Sequence, residues 1–230
     1  MPETLAQASE HRVVRIPVDS VHLDGNLSIP KQPFGVVLFA HGTGSGRFSP
    51  RNQYVARRLH QLGLATLLID LFTPEEEALD LQTLHLRFDI ALLSERLIDA
   101  SRWLADNPET RTLPIGYFGA STGAGAALSA AAEHPQRIGA VVSRGGRPDL
   151  AGSALARVKA PTLLIVGGND YPVVEMNRIA LRKLNVEKKL QIVHGASHLF
   201  EEPGALEEVS RLAGQWFEHY LEVPVERRST

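Results

Sequence analysis

Three side chains in this sequence have the types, and the order along the chain, that nucleophilic acyl chemistry needs: Ser121, Asp170 and His198. Ser121 is the centre of Gly119-Ala120-Ser121-Thr122-Gly123, a G-x-S-x-G pattern. Alone the pattern is weak; its neighbours give it meaning. The apolar run Leu113–Phe118 precedes it and a segment of small residues, Thr122–His134, follows it. A strand that turns abruptly into a helix presents a serine at the turn, provided the flanking residues are small. A serine hydroxyl is a poor nucleophile near neutral pH. It needs a base within hydrogen-bond reach, and the base needs a carboxylate to fix its tautomer. The competing reading of Ser121 is a helix N-cap in a glycine-rich turn.

Nine histidines compete for the role of base. His11 and His22 fall in N-terminal strand-like segments, and His60, His85, His134 and His219 fall in or beside helical ones. His41 ends an apolar run in a His-Gly pair, where imidazole braces a loop. His194 and His198 both follow the run Leu190–Val193. His194 is expected to belong to the strand end. His198, after Gly195-Ala196-Ser197, is expected in a loop over the sheet edge, which suits a base better. The orienting acid is expected at Asp170, which follows Thr162–Val166 through Gly167-Gly168-Asn169. The rival Asp70 precedes Ser121, against the order nucleophile, acid, histidine that accompanies such an elbow. Asp149 reads as a solvated loop residue.

An oxyanion hole would draw one backbone N–H from Thr122 and a second from the loop His41-Gly42-Thr43-Gly44-Ser45-Gly46, with Thr43 preferred and Gly42 behind it. Read instead as a phosphate cradle, that loop lacks both Gly-Lys-Ser/Thr and G-x-G-x-x-G. Gly42 and Arg144 are the candidate substrate-binding positions. Arg144 ends an apolar run, where it would either clamp a substrate carboxylate or pair with Asp149 or another acid. Arg47 has a weaker claim to the same role. No H-E-x-x-H occurs and the histidines are scattered, so no metal and no other cofactor is expected. Glu75-Glu76-Glu77 reads as an exposed helix start.

The elements that must hold these residues are legible as two kinds of periodicity. Arg12–Pro30 alternates apolar and polar residues, with turn chemistry at Asp19-Ser20 and Asp24-Gly25-Asn26, and is expected to form an antiparallel strand pair. From Gly35 onward the apolar runs are continuous: Val36–Ala40, Ala65–Ile69, Leu113–Phe118, Ile138–Val142, Thr162–Val166 and Leu190–Val193. Such runs suit strands buried on both faces of a parallel sheet. Helical spacing lies between them, at Tyr54–Leu62, Phe88–Leu104, Thr122–His134, Val173–Leu184 and Ala205–Leu221. The alternation means an α/β sheet with right-handed crossovers, whose ligands sit at the carboxyl ends of the strands. Every candidate residue above follows one of the apolar runs.

Composition bounds the rest. The 230 residues are 43% hydrophobic and 22% charged, with a formal net charge of -2 and no cysteine. That is ample for one sizeable core, and the chain is expected to be a single domain with its core over about 12–221. The charge leaves no footprint for nucleic acid or an anionic membrane surface. No run approaches the roughly 18 apolar residues of a membrane span, and Met1–Arg15 holds no signal-peptide core. Zero cysteine excludes a thiolate nucleophile and disulfides. A cytoplasmic protein acting on a small molecule is expected, with the tail Val223–Thr230 loose and the oligomeric state open.

With the three residues in place, the sequence resembles an α/β-hydrolase of the dienelactone hydrolase type. The resemblance runs from about Val36 to Leu221, through HGTGSG, IDLFTPEEE, IGYFGASTGAGAAL, VVSRGGRPDL, LLIVGGND and GASHLFEEPGAL. It implies an α/β-hydrolase fold, with a mostly parallel sheet of about eight strands, helices on both faces and antiparallel N-terminal strands. The namesake enzymes use a cysteine nucleophile, and Ser121 stands in its place here. That departure shifts the expectation from dienelactones to ordinary carboxylic esters. Many relatives carry a lid before the strand that bears the acid. Here only Ser143–Pro161 separates Ile138–Val142 from Thr162–Val166, which is room for a loop and a short helix. An open site and a preference for short acyl chains are therefore expected. The alternatives are lactone opening or acyl transfer on the same triad, and, from another class, a non-catalytic binding module.

Overall fold

A computed structural model describes residues 10–222; the expected loose tail Val223–Thr230 lies outside that range. Eight strands form one sheet in the order β1-β2-β4-β3-β5-β6-β7-β8. The first two, β1 (Glu10–Val18) and β2 (Val21–Ile29), make an antiparallel hairpin across Asp19-Ser20, with Asp19 at φ +45°. The expected turn at Asp24-Gly25-Asn26 does not exist, because those residues are inside β2. Gly25 is small for a packing reason. A Cβ there would meet Leu67, Val14 and Ile69 side chains at 3.1–3.3 Å.

The strand β4 (Leu64–Ile69) runs antiparallel to β2 and parallel to β3 (Gly35–Ala40). From there β5 (Ile115–Ala120), β6 (Ile138–Arg144), β7 (Thr162–Gly167) and β8 (Lys188–Val193) continue in parallel. Every residue of β3, β4, β5 and β7 is buried, as continuous apolar runs require. Successive side chains enter opposite cores. Val36, Leu38 and Tyr117 join one cluster, whereas Val37, Phe39 and Phe118 join the other.

Two helices, α1 (Pro50–Gln61) and α6 (Ala205–Leu221), cover the face that holds Phe39 and Phe118. The opposite face is covered by α3 (Ile90–Asp106), α4 (Thr122–Glu133) and α5 (Tyr171–Lys183). The helix α4 is buried from Thr122 through Ala132, and its Ala and Gly content lets it lie close under the strands. The helix α2 (Pro74–Thr83) begins at the acidic triplet, as expected, but Glu76 is half-buried against Arg96 rather than exposed. Thr73 and Glu76 form its capping box, each side chain bonding the other's backbone N–H. Between β6 and β7 there is only a 3₁₀ segment, Pro148–Arg157, and no lid domain. Among the described residues, no helix is long and apolar enough to cross a membrane.

Candidate active site

Ser121 lies between the end of β5 and the start of α4, at φ +51° and ψ -123°. A side chain at positive φ is strained, and here the surroundings enforce it. The Ser121 N–H donates to Arg144 O at 3.3 Å, and its carbonyl accepts from Ala124 N and Arg147 N at 3.1 and 2.9 Å. The two glycines of the pattern admit no substitute. A Cβ at Gly119 would lie 2.5 Å from Ala124 Cα, and one at Gly123 would lie 2.3 Å from Ala40 O. The Ser121 side chain makes no N-cap bond to the helix, so the capping reading of this serine is not what the geometry supports.

Asp170 occupies the N-cap position of α5, yet it makes no capping bond there either. Its Oδ2 instead accepts from His198 Nδ1 at 2.6 Å. Backbone bonds fix the two loops to each other. Asn169 N–H donates to Ala196 O at 2.9 Å, and its side-chain amide donates to Gly195 O at 2.8 Å. Gly167 lets these loops touch, since a Cβ there would fall 2.4 Å from Ser197 O. Asp170 is mostly covered, at 14% exposed, and His198 is half-open, at 39%. With Nδ1 committed to Asp170, Nε2 is the ring nitrogen left for a second partner.

Gly42, Thr43, Ser121, Arg144 and His198 line one cavity of about 200 Å³ at the carboxyl ends of β3, β5 and β6. Thr43 lines it too, and its hydroxyl is hydrogen-bonded to that of Thr122, the other expected oxyanion donor, at 3.2 Å. The loop turns at Gly42–Ser45 through a bond from Ser45 N to Gly42 O at 3.2 Å. Such a turn does not use the N–H of its central residue Thr43. Gly42 itself must be glycine, because a Cβ would lie 2.8 Å from Ser121 Cβ.

The remaining candidates fall outside this cluster. His194 is exposed in the turn after β8 rather than at the strand end, because β8 stops at Val193. His41 is buried; its Nε2 accepts from Leu71 N–H at 2.9 Å, which leaves the proton on Nδ1 to donate to Gly42 O at 2.9 Å. Burial pulls its pKa below the ordinary histidine value, so it is a neutral brace. Asp70 accepts from Arg47 N at 2.7 Å and pairs with the Arg47 guanidinium, which removes both from the chemistry. Asp149 is not free in solvent. It holds Arg147 in a fork at 2.8–3.2 Å, so the expected Arg144–Asp149 pair does not form. Arg51 and Asn52, at the start of α1, are additional residues near Arg144 that the sequence reading passed over. Their signal was a basic residue opening a helix whose first turn has no acid.

Larger grooves exist elsewhere, of about 450 Å³ beside α1 and about 830 Å³ beside Arg47 and Glu76. No carboxylate lines the first, and in the second Asp70 and Glu76 are held by arginines. Among the described residues, no three His, Asp or Glu side chains gather as metal ligands do.

Comparison with known proteins agrees with this architecture. The model of the dienelactone hydrolase family matches residues 23–221. The crystal structure of a dienelactone hydrolase from Anabaena variabilis is 62% identical and superposes with a TM-score of 0.92, over 94% of this chain and all of that one. Est1E from Butyrivibrio proteoclasticus, at 16% identity and a TM-score of 0.76 over 90% of this chain and 98% of its own, shares the fold. A Mycobacterium tuberculosis protein named as a phosphoribosyl transferase is 55% identical over 208 residues, which is 90% of this chain and 46% of that protein. The chain thus spans about half the length of that relative. Its strand order, its elbow at Ser121 and a family match over nearly the whole described region lead to one assignment: the chain belongs to the dienelactone hydrolase family.

Proposed function

We propose that the chain is a serine carboxylesterase for short-chain esters, with Ser121 as nucleophile, His198 as base and Asp170 as the orienting acid. The observation that carries this reading is the 2.6 Å bond between His198 Nδ1 and Asp170 Oδ2, beside a serine held at φ +51°. Asp170 keeps the imidazole proton on Nδ1, so the Nε2 lone pair is available to the Ser121 hydroxyl. As the proton passes to Nε2, Oγ attacks the ester carbonyl carbon. The carbonyl oxygen gains negative charge and receives the N–H groups of Thr122 and Thr43. Collapse expels the alcohol, which takes the proton from His198. Water then repeats the sequence on the acyl-enzyme and frees the acid.

The absence of a lid between β6 and β7 and the half-open imidazole support small substrates that enter directly from solvent. Lactone opening or acyl transfer to an alcohol would use the same three residues and differ in which nucleophile ends the cycle. The phosphoribosyl transferase name belongs to a protein of which the match covers 46%, and none of the steps above calls for a ribosyl donor. Hydrolysis of p-nitrophenyl esters by the wild type and by Ser121→Ala tests the proposal. Turnover that vanishes in the variant supports it. A protein that neither turns over esters nor reacts with a fluorophosphonate would be a binding module instead.

A further inference from the structure

Arg144 is a charged member of this cavity that acyl transfer leaves unused. It ends β6 with 7% of its surface exposed and lines the cavity beside Ser121 and His198. A guanidinium taken out of water is ordinarily held by a carboxylate or by several carbonyl oxygens. Arg144 has neither. Its side chain makes one long hydrogen bond, from Nη2 to Asn52 Oδ1 at 3.4 Å, and its buried Nε has no acceptor. The Phe200 ring is 5.9 Å from its guanidinium carbon.

The neighbourhood adds positive charge. Arg51 lines the same cavity, has a buried Nε without an acceptor, and reaches only Glu201, at 3.2 Å, on the solvent side. Both Arg51 and Asn52 sit in the first turn of α1, where the helix dipole is positive and no acidic residue offsets it. Burial first, and Arg51 second, draw the Arg144 pKa down to about 10, which leaves it charged at neutral pH.

We infer that Arg144, supported by Arg51 and Asn52, is the recognition site for an anionic oxygen group on the substrate. The substrate class is therefore an ester that carries a carboxylate or a phosphate a few bonds from the scissile carbonyl. A planar guanidinium meets either group through two parallel hydrogen bonds, and both fit a cavity of about 200 Å³ only as small substrates. This assignment rests on the esterase reading of Ser121.

The test compares mono-p-nitrophenyl glutarate, an anion, with p-nitrophenyl pentanoate, its uncharged counterpart. The wild type is expected to favour the glutarate in kcat/KM by about 10²-fold, the order expected for one charge-assisted hydrogen-bond pair. Arg144→Met is expected to bring that ratio near one, and Arg144→Lys, which keeps the charge without the fork, to leave it intermediate. A wild type that cleaves both esters equally, or a preference that survives in Arg144→Met, overturns the anion site while the esterase reading stands. A second readout needs no turnover. Glutarate or inorganic phosphate, at matched ionic strength, should raise the melting temperature of the wild type and not of Arg144→Met. The anion that stabilises more identifies the group. Stabilisation without cleavage of either ester removes the esterase reading alone, and no stabilisation by either anion removes the anion site.

Discussion

His41 and His198 each make a hydrogen bond through Nδ1, and their surroundings separate their chemistry. His41 faces a carbonyl and is buried, whereas His198 faces a carboxylate and is half-open. Asp170→Asn would leave the ring in place but no longer favour the proton on Nδ1. The proposal expects kcat to fall about 10⁴-fold with the fold intact, read by steady-state kinetics beside a circular-dichroism spectrum. For His41 the readout is stability. Its folded pKa is depressed, so the unfolded chain takes up a proton that the folded chain refuses as pH drops below about 6.5. Stability held above that value is lost below it, at up to about 1.4 kcal/mol per pH unit until the folded pKa is reached. Thermal melts from pH 7.5 to 5 should show a slope that is smaller in His41→Gln; equal slopes would assign the loss to other groups. Arg144 shows where residue types stop being informative. That it ends a strand can be read from the chain, but that it lacks a carboxylate depends on Asp149 having turned to Arg147.

Strands were far easier to read than α2. The runs Val36–Ala40 and Ala65–Ile69 are buried on both faces, so hydrophobicity alone marks them. The helix α2 has Leu79 and Leu81 in solvent and buries only Asp80, so it has no apolar stripe to find. Polar contacts hold it. Glu76 grips Arg96, itself buried, with bonds at 2.5 and 2.7 Å while closing the capping box, and Asp80 holds Arg87 at 2.7 Å. The Arg96 hydrogen bond, before any other influence, holds the Glu76 carboxyl below the usual glutamate range. Glu76→Gln should then destabilise the fold by about 2 kcal/mol at pH 7. The difference from wild type should shrink as pH falls through the ordinary glutamate range, about 4.3, where the unfolded carboxylate protonates. Urea unfolding at pH 7 and at pH 4 checks both statements. Gly25 was misread for the same kind of reason, since a glycine chosen to fit between side chains looks in sequence like one chosen for a turn.

The whole molecule is a sheet closed by helices on both faces and left open at the strand ends. The order of apolar runs and helical spacings made that architecture readable, because each crossover connects neighbouring layers in the only hand that packs. It also made the strand-end positions of Ser121, Asp170 and His198 readable, while the contact between the loops that carry them needed coordinates. Among the described residues no lid between β6 and β7 gives a long acyl chain an apolar roof, so kcat/KM for p-nitrophenyl esters should decline from butyrate to laurate. A steady rise toward laurate would contradict the open site. The elbow has one more consequence. Ser121 keeps its left-handed backbone because β5, α4 and the loop after β6 all hold it there. Glycine adopts that conformation freely, so Ser121→Gly should melt higher than wild type by about 3 °C, some 1 kcal/mol after its extra unfolded-chain entropy. Ser121→Ala, equally inert in the proposed reaction, should show no gain. The comparison would measure how much thermal tolerance the protein gives up to keep a serine at this strained turn.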